Sequence, residues 1–249
     1  MDGIACLSVQ ELRGVGPKLA QKLADYGVRQ LEDLLFHLPL RYQDRTRVTP
    51  IAAAREGMDV VIEGEVRAAD VVFGRRRSLV ARLQDGSGTL TLRFFHFSAA
   101  QKNNLQPGSR VRCFGQVRRG GSGLEMYHPE YRHLREDAGP VEEALTPVYP
   151  TTEGLGQAQW RKLCGQALGL LRRAPVQELL PPSKQYPYDL AAALQFLHAP
   201  PPDAPQELLR AGEHPAQMRL ALEELVAHNL SLQRLREYQQ RDGAPALPP

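Results

Sequence analysis

The hydrophobic positions change period twice along the chain. Over residues 12–38 they recur at helical spacing, with Leu19, Leu23 and Tyr26 on one face and Leu31, Leu34, Leu35 and Leu38 on another. Ser8-Val9-Gln10-Glu11 has the spacing of a capping box, Pro17 suits a first helical turn, and Gly27 suits a left-handed helix end. Pro39 stops the second run, so a helical hairpin is predicted. From Met58 the period drops to two. β-Branched and alternating positions predict strands from Met58 to about Phe73, from Ser78 to Leu83, from Thr89 to Phe95, from Arg110 to Val117 and from Leu124 to Tyr127. Gly74-Arg75-Arg76-Arg77, Asp85-Gly86-Ser87-Gly88, Pro107-Gly108 and Gly120-Gly121-Ser122-Gly123 supply the turns, and Ser98 to Asn103 reads as a short helix. From Pro140 onward the helical period returns, broken by 15 of the chain's 20 prolines, which predicts short helices joined by stiff extended connectors. A last helix from about Pro215 carries Leu220, Leu222, Leu225, Leu230, Leu232 and Leu235, a stripe broad enough to pack against a neighbour.

Three strands, a short helix and two strands is the plan of an OB-fold, a partly open five-stranded barrel that commonly binds oligonucleotides. The expected class is α+β: a five-stranded OB-fold β-barrel flanked by an N-terminal helical hairpin and C-terminal helices. The expected segments are 1–50 (helical), 51–138 (barrel) and 139–249 (proline-rich helices).

Composition narrows the partner. The 249 residues carry a formal net charge of only +3, but residues 41–135 hold 17 Lys and Arg against 9 Asp and Glu, and the remainder holds 14 against 19. The bases are 26 Arg to 5 Lys. Arginine's planar fork suits phosphates and stacks on bases, which points the basic barrel at nucleic acid; a merely solvated face or an Arg-rich codon preference would give the same count. Cys6, Cys113 and Cys164 are odd in number and far apart, which excludes a full disulfide framework and fits a reducing cytoplasm. No run of about 18 apolar residues occurs, and the start lacks the basic stretch of a signal peptide.

Candidate chemistry concentrates in Arg93-Phe94-Phe95-His96-Phe97. Strand alternation buries only some of Phe94, Phe95 and Phe97, so at least one ring is expected at the surface near the strand end. An exposed ring beside Arg75, Arg76, Arg77, Arg93 and Lys102 is what single-strand binding requires: stacking on a base, with cations along the backbone. The competing reading has all three rings filling the barrel. Gly14-Val15-Gly16-Pro17-Lys18 resembles a helix-hairpin-helix module, in which amides near Gly14 and Gly16, with Lys18, meet a phosphate; a glycine turn that lets helices pack closely explains it as well. His128, Glu130, His133 and Cys164 lack metal-ligand spacing, and no nucleophile or general base is assigned.

Longer strings carry a family resemblance. Leu38-Pro39-Leu40-Arg41-Tyr42-Gln43-Asp44-Arg45-Thr46, Asp85-Gly86-Ser87-Gly88, Arg93 to Phe97, His128-Pro129-Glu130-Tyr131, Leu145 to Gly154 and His214-Pro215-Ala216-Gln217 resemble the RecG family of bacterial ATP-dependent DNA helicases. The resemblance implies a wedge domain set against the branch point of a replication fork or Holliday junction, in recombination, repair and stalled-fork remodelling. It gives Phe95 the place of the ring that stacks at the branch. Where some members carry a second aromatic four residues on, this sequence has Ala99, with Phe97 as a nearby substitute. It implies branched DNA, including R-loops, as partner, a monomer, and a cytoplasmic, nucleoid-associated location. It also implies ATP and Mg²⁺ in the parent enzyme. A motor needs a GxxxxGK[ST] phosphate loop, and none occurs here, so no cofactor and no ATP hydrolysis are expected of these residues, and the chain is expected to be a front-end fragment. The alternative from another class is an OB-fold interaction module that captures a protein such as single-stranded-DNA-binding protein.

Overall fold

Two kinds of core follow from the two hydrophobic periods. A computed structural model describes residues 4–73, 77–121, 123–134, 141–151, 154–171, 173–183 and 186–241. In chain order it contains helices α1 (Pro17–Asp25) and α2 (Leu31–Phe36), strands β1 (Arg41–Gln43), β2 (Asp59–Val72), β3 (Ser78–Gln84) and β4 (Thr89–Phe94), and helix α3 (Ala99–Asn104). Strands β5 (Arg110–Gly120), β6 (Gly123–Tyr127), β7 (Glu130–His133) and β8 (Thr146–Val148) follow, then helices α4 (Gln157–Leu170), α5 (Leu190–His198), α6 (Gln206–Ala211) and α7 (Pro215–Arg241). The chain divides into two compact units, one of Gln43–Thr146 and one that joins Met1–Tyr42 to Pro147–Pro249.

The Gln43–Thr146 unit is the barrel. Its strands pair in the order β2-β3-β4-β6-β5, and β5 pairs back onto β2. All these pairings are antiparallel except β4 with β6, which is parallel. This is the five-stranded OB plan, and the protein is α+β as its sequence pattern predicts. The polar segment Glu130–His133 adds a further strand, β7, along the first half of β5. Alternation sends Ile62, Val66, Leu79, Leu83, Leu92 and Val111 inward, each fully buried.

β2 serves two partners: Asp59–Glu65 pairs with β5, and Glu65–Val72 with β3. The change-over needs a close approach at Gly64, where a Cβ would lie 2.7 Å from the Gln84 carbonyl oxygen. The register slips between Val66 and Ala68, a bulge that bends the strand. Asp85 ties the Asp85–Gly88 turn to the segment before β2, accepting from the amides of Ile51 (2.7 Å), Ser87 (2.8 Å) and Gly88 (3.0 Å). Burial pushes its carboxyl up, but these donors and the Ser87 hydroxyl outweigh it and hold it below the ordinary aspartate value.

The second unit is helical and discontinuous in sequence, so the expected separation of 1–50 from 139–249 gives way to one shared core. α2 turns Leu31, Leu34 and Leu35 inward and packs on α4 and α5. The His198 Nε2–H donates to the Leu35 carbonyl oxygen (2.7 Å), and its Nδ1 accepts the Tyr149 hydroxyl (2.8 Å). His37 stacks on the buried Trp160 at 4.1 Å between ring centroids. Ser8 caps only a short 3-10 turn; the capping box is at Gln30 and Asp33, opening α2. Gly27, at φ +80°, closes α1 as expected. α7 buries Ala216, Arg219 and Leu220 at its start, while Leu225, Leu230, Leu235 and Tyr238 are exposed further along.

Candidate nucleic-acid interface

The parallel pairing of β4 with β6 decides what meets at one end of the barrel. Antiparallel neighbours would separate the two C-terminal ends; here Arg93 is the register partner of Tyr127, so Phe95 to Phe97 and Tyr127-His128 emerge together. The β2–β3 hairpin reaches the same end, since Val72 pairs with Ser78 and Leu79 with Phe94.

Each predicted aromatic residue has a distinct position there. Phe94 continues the inward alternation of Leu90 and Leu92 and is 2% exposed, a core ring. The strand ends at that residue and the chain bends, leaving Phe95 half-buried at the rim. Its ring meets Tyr127 edge-on at 5.4 Å and His128 at 5.6 Å. Phe97 is partly buried against the barrel core, with the Arg77 guanidinium carbon 5.0 Å from its ring centre. His96 is exposed and stacks on His128 at 6.0 Å.

His128 fixes this arrangement. Among the described residues it is the one non-glycine with positive φ, at 48°. That unusual backbone turns it back over the end of β4, where its amide donates to the Arg93 carbonyl (2.9 Å) and its Nε2 accepts from the Phe95 amide (3.1 Å). The backbone at Phe95 is thereby held from both sides.

Arg93 is committed to its neighbour strand. Its Nε and Nη2 donate to the two oxygens of Glu125 at 2.9 and 3.1 Å, and Nη1 reaches the Ser78 hydroxyl at 3.3 Å. Glu125 is 1% exposed, and its hydrogen bonds hold the Arg93 guanidinium even above the ordinary arginine value. Arg93 thus builds the rim. Arg77 is exposed, Lys102 is exposed on α3, and Arg75 and Arg76 lie outside the described residues. Ala99 is exposed at the start of α3.

Four residues to which sequence reasoning gave no part in DNA binding stand in this cluster. Tyr127 is 38% exposed and carries the Arg118 guanidinium at 5.6 Å. His128 is the clamp just described. Phe73 is 79% exposed, with Arg77 at 5.9 Å. The signal for Phe73 was its place beside the arginine-rich tip; for Tyr127, Arg118 and His128 it was the parallel β4–β6 pairing, which no local pattern encodes.

In the helical unit, Gly14 has φ +89°, Gly16 caps α1, and Lys18 is exposed. The preceding Arg13 exchanges backbone hydrogen bonds with the Gln166 side chain of α4, at 2.8 and 3.2 Å, so this turn also docks a helix. Among the described residues no three His, Cys, Asp or Glu side chains gather as metal ligands do, and no helix is long and apolar enough to cross a membrane.

Comparison with known proteins places these features in a family. The RecG wedge domain model matches residues 8–171. The chain is 50% identical over 241 residues to the ATP-dependent DNA helicase RecG of Escherichia coli (strain K12), covering 96% of the chain and 35% of that protein. It is 49% identical over 227 residues to the RecG helicase of Pasteurella multocida (strain Pm70), covering 90% of the chain and 33% of that protein. The chain thus spans about a third of the length of these curated relatives. A solved structure of RecG bound to a three-way DNA junction superposes with a TM-score of 0.68 at 26% identity, covering 96% of the chain and 32% of that one. A barrel of this topology, a family model matching well over half the chain and near-50% identity to RecG helicases agree: the chain belongs to the RecG wedge-domain family.

Proposed function

We propose that the chain is the branched-DNA-binding module of a RecG-type ATP-dependent DNA helicase acting in recombination, repair and stalled-fork remodelling. The observation that carries this reading is the rim of half-exposed rings, Phe95 and Tyr127, with Arg118 and Arg77 beside them, at one end of the barrel. Rings take unstacked bases and cations follow the phosphates, a combination that suits strands parted at a junction. The related protein bound to a three-way DNA junction supports the same partner. On this reading Phe95 stacks at the branch, Arg93 holds the rim through Glu125, and Arg75, Arg76, Arg77 and Lys102 track the backbone. Gly14, Gly16 and Lys18 add a phosphate contact. The chain works as a monomer in the bacterial cytoplasm, at the nucleoid. ATP hydrolysis and its Mg²⁺ belong to other parts of such a helicase, and these residues need neither to bind DNA.

Fluorescence anisotropy on a three-way junction, a linear duplex and a single strand, each at two salt concentrations, tests this. The junction is expected to bind tightest, with affinity falling steeply as salt rises because phosphate contacts release counterions. Equal affinity for all three overturns it. Phe95→Ala is expected to weaken junction binding by ~1–3 kcal/mol with the fold intact. Indifference both to DNA structure and to Phe95→Ala would favour capture of a protein, such as single-stranded-DNA-binding protein.

A further inference from the structure

β2 delivers a side chain that the barrel does not use. Phe73 follows the last residue of this 14-residue strand and is 79% exposed, the highest exposure of any large hydrophobic residue described. A single exposed hydrophobic side chain is ordinary on a protein surface, so the surroundings of this ring decide whether it has a role. Phe73 touches no other ring among the described residues. Its one aromatic-type contact among the described residues is to Arg77, whose guanidinium carbon lies 5.9 Å from the Phe73 ring centre and 5.0 Å from that of Phe97. One cation therefore bridges two rings, both within the range of cation–π attraction. Arg77 is exposed and has no acidic partner among the described residues, so its charge is not neutralised. Register places this group at the rim: Val72 pairs with Ser78, and Leu79 with Phe94, beside Phe95.

We propose that Phe73, Arg77 and Phe97 form a second base-stacking station, distinct from Phe95, that takes one unpaired nucleotide of a single-stranded arm. The open ring of Phe73 supplies a face for the base. Arg77, held between the two rings, turns its donors toward the phosphate of the same nucleotide. Phe97, packed against the core, anchors the cation. Charge selects the occupant, because a bare cation between two rings matches a polyanion carrying flat bases better than an apolar peptide. The two stations differ in character: Phe95 is packed against Tyr127 and His128, whereas Phe73 is open and reads unpaired nucleotides.

This station rests on the DNA-binding reading above, and the test separates the two. The full chain, Phe73→Ala and Phe95→Ala are titrated against a fully duplex three-way junction and against the same junction with one arm replaced by about ten nucleotides of oligo(dT). Phe73→Ala is expected to weaken binding about tenfold on the single-stranded-arm substrate, the Kd change of one lost stack, and by less than about twofold on the duplex junction. In Phe73→Trp, oligo(dT) is expected to quench the new fluorescence, after subtraction of wild-type signal from the buried Trp160. Unchanged affinity of Phe73→Ala on both substrates, an equal loss on both, or an unquenched Phe73→Trp overturns the station. If Phe95→Ala still discriminates in the same experiment, the DNA-binding reading stands without it. A wild-type chain that binds neither substrate overturns both.

Discussion

The Arg93–Glu125 pair sets the rim, and its removal has a calculable cost. Glu125→Ala takes a carboxylate that is 1% exposed from under a guanidinium that donates to both its oxygens. Removing one partner of a fully buried pair costs ~3–5 kcal/mol, mostly because the other charge is left without a partner. The Arg93 side chain is 23% exposed, so water regains part of its solvation, and the Ser78 hydroxyl keeps one donor occupied. A cost of ~2–3 kcal/mol remains after that discount. The loss falls where little else compensates, since the parallel β4–β6 ladder is three residue pairs long. The cysteines allow it to be read locally: Cys113 is buried in the barrel and Cys164 in the helical unit, while Cys6 is exposed. Burial pushes both inner thiols up to about 12, so each labels only when its unit opens. Pulsed thiol labelling across a urea series, resolved by mass spectrometry, should shift the Cys113 midpoint down by roughly 1–2 M and leave that of Cys164 in place. Glu125→Gln, which keeps an acceptor, should fall between. An unmoved Cys113 midpoint would refute the view that this pair holds the rim.

The same reporters test two further features. Gly64→Ala brings a methyl to 2.7 Å from the Gln84 carbonyl and 2.9 Å from Leu83 Cγ, and should lower the Cys113 midpoint by an amount equivalent to ~1–3 kcal/mol. The helical unit should lose stability with acid: burial lowers the pKa of His198 and of His37, so the unfolded chain takes up protons more readily than the folded one. Their contribution is complete above the ordinary histidine value, about 6.5, and is lost as pH falls below it toward the depressed folded values. The Cys164 midpoint should therefore drop between pH 7.5 and pH 5, and a flat profile would refute that account.

The barrel was legible because its signals are local. Alternation between Met58 and Tyr127, cut by Asp85-Gly86-Ser87-Gly88 and Pro107-Gly108, fixes strand order without knowledge of which strands meet. β7 escaped notice because Glu130, Arg132 and His133 are polar and exposed, leaving Tyr131 as the one residue turned partly inward. The union of the two chain ends was hidden for a different reason. Leucines of α2 look alike whether they meet a nearby helix or, as here, Cys164 about 130 residues away. Ser8 and Glu11 have the usual residue types of a capping box, whereas Gln30 and Asp33 form one with an unusual first member. At the rim, alternation predicts that Phe94 and Phe95 diverge, but it gives no sign that Tyr127 and His128 will stand beside them.

The rim joins one ring that is fixed to another that is free, and the proposed role gives that contrast a physical meaning. Phe95 is set by the hydrogen bond its amide donates to His128, whose own amide is tied to the Arg93 carbonyl, and by ring contact with Tyr127, so little freedom remains for a ligand to remove. Ordering a side chain on binding costs ~0.5–1.5 kcal/mol, a sizeable share of the ~1–3 kcal/mol that one base stack returns. A ring that must meet the last base pair at a branch gains most from being ordered beforehand, because the geometry there is shared by every junction. A ring that meets a loose single strand gains from compliance, since the nucleotide arrives in many poses. Phe73, open to solvent and touched among the described residues by a single cation–π contact, has that compliance. If the contrast is functional, stiffening should act in opposite directions at the two sites. Releasing the clamp with His128→Ala should weaken junction binding nearly as much as Phe95→Ala, measured by anisotropy on the duplex junction. Junction affinity that survives loss of the clamp would show that the order around Phe95 serves the barrel and not the DNA.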